Sequence, residues 1–117
     1  MRTRNVVVEK WNPKWKEEFE KIVESLGKEI IQNVIKIEHV GSTSVEGMSA
    51  KPIIDLDIVI ENDKFLILKK LLERKGYVHE GDLGIRDREA FSYINKNDLM
   101  THHLYAVSYT HLRAHET

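Results

Sequence analysis

Apolar residues recur at intervals of three and four along the first third of the chain, at Trp15, Phe19, Ile22, Val23, Leu26 and Ile30, while Lys16, Glu17, Glu20 and Glu24 fall between them. That spacing places one apolar stripe on one side of a helix and the charges on the other. Asn12 is suited to cap its start, and Pro13 to occupy its first position. Phe65, Leu68, Leu71 and Leu72 repeat the pattern in a second helix, which Gly76 closes. Strand-like content marks Val6 to Trp11, Val34 to Val40, Ile53 to Ile60, Tyr77 to Glu80, Ala90 to Ile94 and His102 to Val107, with a polar loop over Asp82 to Arg88. Helices and strands alternate, so the expected class is α+β with α/β-like order: a mixed β-sheet packed by two or more helices.

One strand breaks its own pattern. Ile53-Ile54-Asp55-Leu56-Asp57-Ile58-Val59-Ile60 is the most apolar run in the chain, yet it holds two acids. Side chains two apart on a strand share a face, so Asp55 and Asp57 point together while Ile54, Leu56 and Ile58 point away. Two carboxylates in one small volume resist double ionisation unless a cation lies between them. Mg²⁺ accepts one or two such carboxylates and completes its shell with phosphate oxygens.

Upstream, Glu38-His39-Val40-Gly41-Ser42-Thr43-Ser44-Val45 reads as a strand ending in a turn of small residues. Glycine lets backbone approach a ligand closely, and free N–H groups at such a turn attract phosphate. Ser42, Thr43 and Ser44 add hydroxyl donors, and Lys51, just before Pro52, brings a positive charge to the connecting loop. Taken singly, a Gly-Ser turn is only a turn and an Asp-x-Asp strand only a solvated edge. Their conjunction, with twelve residues between Ser42 and Asp55, points to a joint phosphate and metal site.

Other candidates have plainer readings. Arg86 and Arg88 could reach a triphosphate but read as solvated loop charges. His39 reads as a strand residue bonded locally. His102 and His103 are adjacent and so face opposite sides of a strand, which prevents both from binding one ion. One of them is expected to share the face of the acids and the other to be packed or exposed.

Composition adds bounds. A chain of 117 residues, 41% hydrophobic and 32% charged, has room for one core. Without cysteine it has neither disulfides nor zinc–thiolate sites, and its net charge of −1 provides no general field for nucleic acid. No apolar run approaches the length of a membrane span. The opening Met1-Arg2-Thr3-Arg4 lacks the apolar core of a secretory signal, so the cytoplasm is the expected compartment.

The stretch from Ile37 to Asp57, with Gly41-Ser42 and Asp55-Leu56-Asp57 at its two ends, closely resembles the signature of the GrpB family. Trp11-Asn12-Pro13-Lys14-Trp15 with Phe19, Gly76-Tyr77, and Thr101-His102-His103-Leu104-Tyr105 extend the resemblance over residues 5–107. That family is similar to the nucleotidyltransferase superfamily. The resemblance implies a nucleotidyltransferase-like fold in which Gly41 and Ser42 form the phosphate-binding turn and Asp55 and Asp57 the catalytic metal ligands, with Mg²⁺ as cofactor. The superfamily adds a third carboxylate on a later strand, and no residue here clearly fills that place. Glu80, Asp82, Glu89 and Asp98 each read as loop or surface charges, while His102 or His103 could stand in that position.

The expected protein therefore has a GrpB/nucleotidyltransferase-like domain over residues 1–107 and a tail over 108–117 that reads as truncated or foreign sequence. It is expected to bind a nucleoside triphosphate or another phosphorylated small molecule with Mg²⁺, and nucleotidyl transfer to an acceptor is the reaction such a site would support. The alternative is a non-catalytic phosphate- or nucleotide-binding module. A homodimer is the expected response to apolar surface left uncovered by a missing C-terminal part.

Overall fold

The cap at Asn12 sets the start of the first helix: its Oδ1 accepts the Lys14 backbone N–H at 2.9 Å, and its carbonyl accepts the Trp15 N–H at 2.9 Å. The computed structural model of the chain describes residues 7–82, 87–94 and 98–109, and there helix α1 runs Lys14–Gln32. Trp15, Ile22, Leu26 and Ile30 are buried, Phe19 and Val23 half-buried, and Lys16, Glu17, Glu20 and Glu24 exposed. The stripe is thus the buried side, as its spacing predicts. One departure is Gly27, whose φ of 87° and ψ of 167° break the helix while Leu26 and Ile30 on either side stay in the core. That region of backbone space is open essentially to glycine alone.

After α1 come β1 (Lys36–Val40), one turn of 3-10 helix over Ser42–Ser44, β2 (Ile54–Ile60), α2 (Phe65–Arg74), β3 (Tyr77–Gly81), β4 (Arg88–Tyr93) and β5 (His102–Ser108). Five strands form one sheet in the order β1-β2-β5-β4-β3. β2 and β5 run parallel at its centre, and the other three pairings are antiparallel. The class is α+β with a mixed sheet. The strand expected over Val6 to Trp11 is reduced to a single antiparallel bridge between Glu9 and Ala50, with Val6 outside the described residues. Ser108, assigned above to the tail, ends β5; residues 110–117 lie outside the described residues.

Alternation sorts the sheet into two faces. Ile54, Leu56, Ile58 and Ile60 of β2, Phe91 of β4, and Leu104 and Ala106 of β5 pack with Ile22, Leu26 and Ile30 of α1 and Leu68, Leu71 and Leu72 of α2 in one core. Both helices therefore cover the same face. At about 1.5–3 kcal/mol for each large aliphatic side chain removed from water, this layer supplies the main drive for folding. The opposite face carries Glu38, Val40, Asp55, Asp57, His103 and Tyr105, in register across β1, β2 and β5.

Candidate functional site

Pairing of Val40 with Asp55 brings the end of β1 against the start of the acid-bearing segment. Gly41 follows with a φ of 77°, and a Cβ there would lie 2.7 Å from Asp55 Oδ2. Only glycine satisfies both the left-handed backbone and the close approach. The Gly-Ser turn and the Asp-x-Asp strand, twelve residues apart in sequence, are thus in direct contact. The Ser44 N–H closes the turn on the Gly41 carbonyl at 3.1 Å, and the Ser44 hydroxyl donates to the same oxygen at 2.6 Å.

The three hydroxyls of the turn have separate tasks. Thr43 is buried, with its Oγ1 2.9 Å from His39 Nε2 and 3.5 Å from the Ile53 carbonyl oxygen. Ser44 braces the turn, and Ser42 is exposed. Ser42, Thr43, Lys51, Asp55 and His103 line one cleft of about 360 Å³. The structure thereby gathers five of the residues singled out from sequence around one space. A second cleft of the same volume, lined by Trp11, Phe19, His39 and Ser44, shares Thr43 with it.

Asp55 and Asp57 each meet a basic side chain. Asp55 Oδ1 lies 3.3 Å from His103 Nδ1, and Asp57 Oδ1 accepts from an Arg88 guanidinium N–H at 3.3 Å. The Arg88 guanidinium rests 3.7 Å from the centroid of the Tyr105 ring, an arrangement favoured by the ring quadrupole. Burial raises the Asp57 carboxyl above its ordinary value; Arg88 opposes this, and Glu38 and Asp55 add to it. The hydrogen bond to Asp55 raises the His103 imidazole against the lowering effect of burial. Burial also raises the Tyr105 phenol, with Asp55 adding to the shift and Arg88 opposing it.

The neighbouring histidines separate as the strand requires. His103 faces Asp55, whereas His102 is buried on the helix side. The Met100 carbonyl lies 2.7 Å from His102 Nδ1 and can only accept, so Nδ1 carries the proton; Nε2 then accepts the Tyr77 hydroxyl at 2.6 Å. His102 is therefore a packed core residue and takes no part in the acid face. His39 stacks on Phe19 with ring centroids 4.9 Å apart, so the local reading of that residue holds.

Arg88 corrects the sequence reading. It is the first residue of β4 and bonds Asp57, so it is part of the acid face rather than a solvated loop charge; Arg86 lies outside the described residues. Spacing carried only its face, since Arg88 lies two residues before Ala90 and shares its side once the strand is extended, and not its partner. Glu38 and Tyr105 were also missed, although Glu38 pairs with Asp57 across β1 and Tyr105 with Asp57 across β5. Of the acids weighed for a third carboxylate, Glu80 accepts the Ser92 hydroxyl, Glu89 pairs with His79 on the helix side, and Asp98 accepts the Tyr93 hydroxyl. Glu38, opposite Asp57, is a further acid on the open face, with its Oε2 3.3 Å from Lys36 Nζ, and Glu80 reaches the same face through Ser92, which pairs with His103.

Comparison with known proteins sets this site in a family. A model described as GrpB protein matches residues 5–117. The chain belongs to the GrpB family. This GrpB-family chain is 33% identical over 103 residues to the UPF0157 protein YqkA of Bacillus subtilis, covering 87% of itself and 29% of that protein. It is 33% identical over 99 residues to the glutamate-rich protein GrpB of Alkalihalophilus pseudofirmus, covering 81% of itself and 57% of that protein. The crystal structure of conserved protein GrpB from Enterococcus faecalis superposes with a TM-score of 0.76 at 34% identity, over 92% of this chain and 65% of that one. This chain thus spans less than two thirds of the length of each of these relatives.

Proposed function

We propose that this chain is a nucleotidyltransferase-like domain that binds a nucleoside triphosphate together with Mg²⁺ on the Asp55–Asp57 face. The observation that carries the reading is the packing of Gly41 onto the Asp55 carboxylate, which joins the turn suited to phosphate and the acids suited to a cation into one site. Among the described residues no group of three His, Cys, Asp or Glu side chains converges to hold a metal by itself. Two carboxylates on one face are nonetheless a donor set for Mg²⁺, which binds through one or two carboxylates and substrate phosphates. Asp55 and Asp57 would hold it, and the ion, when bound, would neutralise phosphate charge and align the reacting groups for in-line displacement.

The protein's own residues have distinct tasks in this reading. Ser42 and Lys51 line the cleft beside Asp55 and would bind phosphate oxygens. Arg88, fixed by Tyr105, restrains Asp57 and brings positive charge to the same face. His103 holds a proton at Nδ1 against Asp55, at the register position on β5 opposite that acid. It is the side chain suited to the place that a third carboxylate would otherwise take.

One observation favours a non-catalytic phosphate-binding module as the second reading: each of the two acids already has a basic side chain as partner, Arg88 on Asp57 and His103 on Asp55. Calorimetric titration of ATP and GTP, with and without Mg²⁺, tests both against the Asp55→Ala, Asp57→Ala double variant. Binding that requires Mg²⁺ and disappears in the variant is the expected result, and unchanged affinity in the variant would sink the assignment. Turnover of α-phosphate-labelled triphosphate then separates the enzyme from the binding module.

A further inference from the structure

The Gly-Ser turn has a second side. In the pairing of β1 with β2, Val40 lies opposite Asp55, whereas His39 lies opposite the core residue Leu56 and so points to the helix layer. There a cleft of about 360 Å³ opens between the start of α1 and the turn, and Trp11, Phe19 and His39 line it with three rings. Trp11 and Phe19 pack against the core yet stay half-buried, so each keeps ring surface available to the cleft.

His39 ties this aromatic wall to the turn. Its ring lies 4.9 Å from that of Phe19 with 10° between the planes, and its Nε2 lies 2.9 Å from Thr43 Oγ1. Burial lowers the imidazole below its ordinary 6.5, with Asp55 opposing, so the stacked ring is mainly neutral near neutral pH. Thr43 is also a wall of the cleft that holds Ser42, Lys51 and Asp55. A ligand that crosses Thr43 therefore meets hydroxyls, a lysine and a carboxylate at one end and aromatic rings at the other.

We propose that the aromatic cleft is the nucleobase subsite for the nucleotide whose phosphates occupy the Gly41–Ser44 turn, and that it takes a purine. The assignment rests on the nucleotide reading of the Asp55–Asp57 face and deepens it. Bases stack on aromatic side chains through their π-faces, and the two fused rings of a purine offer more of that face than a pyrimidine. Lys16 and Glu20, one turn apart on α1, bring a donor and an acceptor to the same cleft, where the polar edge of a base can meet them. The volume is that of a small-molecule site.

Nucleosides carry a base without phosphate, and tripolyphosphate carries phosphate without a base, so the two halves of the ligand are tested apart. At least one of adenosine and inosine should shift the Trp11 indole N–H NMR signal saturably, leaving that of the core residue Trp15 in place. Cytidine should bind more weakly, and Asp55→Ala, Asp57→Ala should leave the nucleoside response unchanged. Trp11→Leu, which keeps apolar bulk but removes the ring, should weaken the matching purine triphosphate with Mg²⁺ by about tenfold, the scale of one base–aromatic stack, without changing tripolyphosphate. Phe19→Leu should act in the same direction. Tripolyphosphate that binds with Mg²⁺ while neither purine nucleoside moves the Trp11 signal would overturn the base assignment and leave the phosphate reading standing. Saturable purine shifts with no tripolyphosphate binding would retain the base site and sink the phosphate reading. Cytidine matching the purines would overturn the proposal as well.

Discussion

Gly41 is held between two demands that any side chain would violate. Its left-handed φ and the 2.7 Å approach of Asp55 Oδ2 mean that Gly41→Ala must either strain the turn or push the carboxylate aside. A destabilisation of about 1–3 kcal/mol is expected, read as a lower denaturation midpoint. Displacement of Asp55 should also be visible as a fall in the His103 pKa, because their hydrogen bond is the main cause of its elevation. The two adjacent histidines carry opposite pH signs. His103, raised above its ordinary 6.5, stabilises the fold fully below that value and loses its contribution as pH rises through the folded value. His102, lowered mainly by burial, contributes above 6.5 and loses its contribution as pH falls through and below that value. NMR titration should show the His103 ring titrating above 6.5 and the His102 ring below it; the reverse order would refute the face assignment. At this scale the acids, the glycine and the division of the histidine pair were legible, because each follows from strand alternation or a single backbone requirement. Arg88 was not, since its role depends on β4 lying beside β5, a pairing that local pattern does not reveal.

Elements were read well where one face is buried and poorly where other forces decide. The stripe of α1 and the alternation of β2 carried their assignments, because burial imposes a period on the sequence. Val6 to Trp11 looked equally strand-like, yet among its described residues only Glu9 finds a bridging partner, in Ala50. Strand content without a neighbouring edge does not make a ladder. Gly27 was invisible for a different reason: Leu26 and Ile30 are four apart and both buried, so the apolar period passes through the break unchanged. Alanine at an exposed position in a regular helix stabilises by about 1 kcal/mol relative to glycine. Gly27→Ala should instead destabilise by about 1–3 kcal/mol, because a φ of 87° with a ψ of 167° is strained for any residue bearing a Cβ. Chemical denaturation gives the sign directly, and a gain in stability would mean that α1 runs unbroken in solution.

For the whole molecule, the sheet order determines which contacts matter most. Leu104 lies on the central strand, is fully buried, and pairs with Leu56 on one side and Phe91 on the other. Leu104→Ala should cost about 2–5 kcal/mol, near the upper end if the rigid neighbours fail to close the space. A loss below about 1 kcal/mol in equilibrium denaturation would contradict its central place. The order itself lay beyond a sequence reading, since β5 sits between two hairpin-like pairs that precede it in the chain. That insertion has a consequence for synthesis. As the polypeptide leaves the ribosome, β1 can join β2, and β3 can join β4, but the two ribbons share no hydrogen-bonded edge until β5 emerges and is threaded between them. Until then the nascent chain presents two open edges flanking a gap one strand wide, the opening at which a chaperone or a second nascent chain would compete for the same backbone.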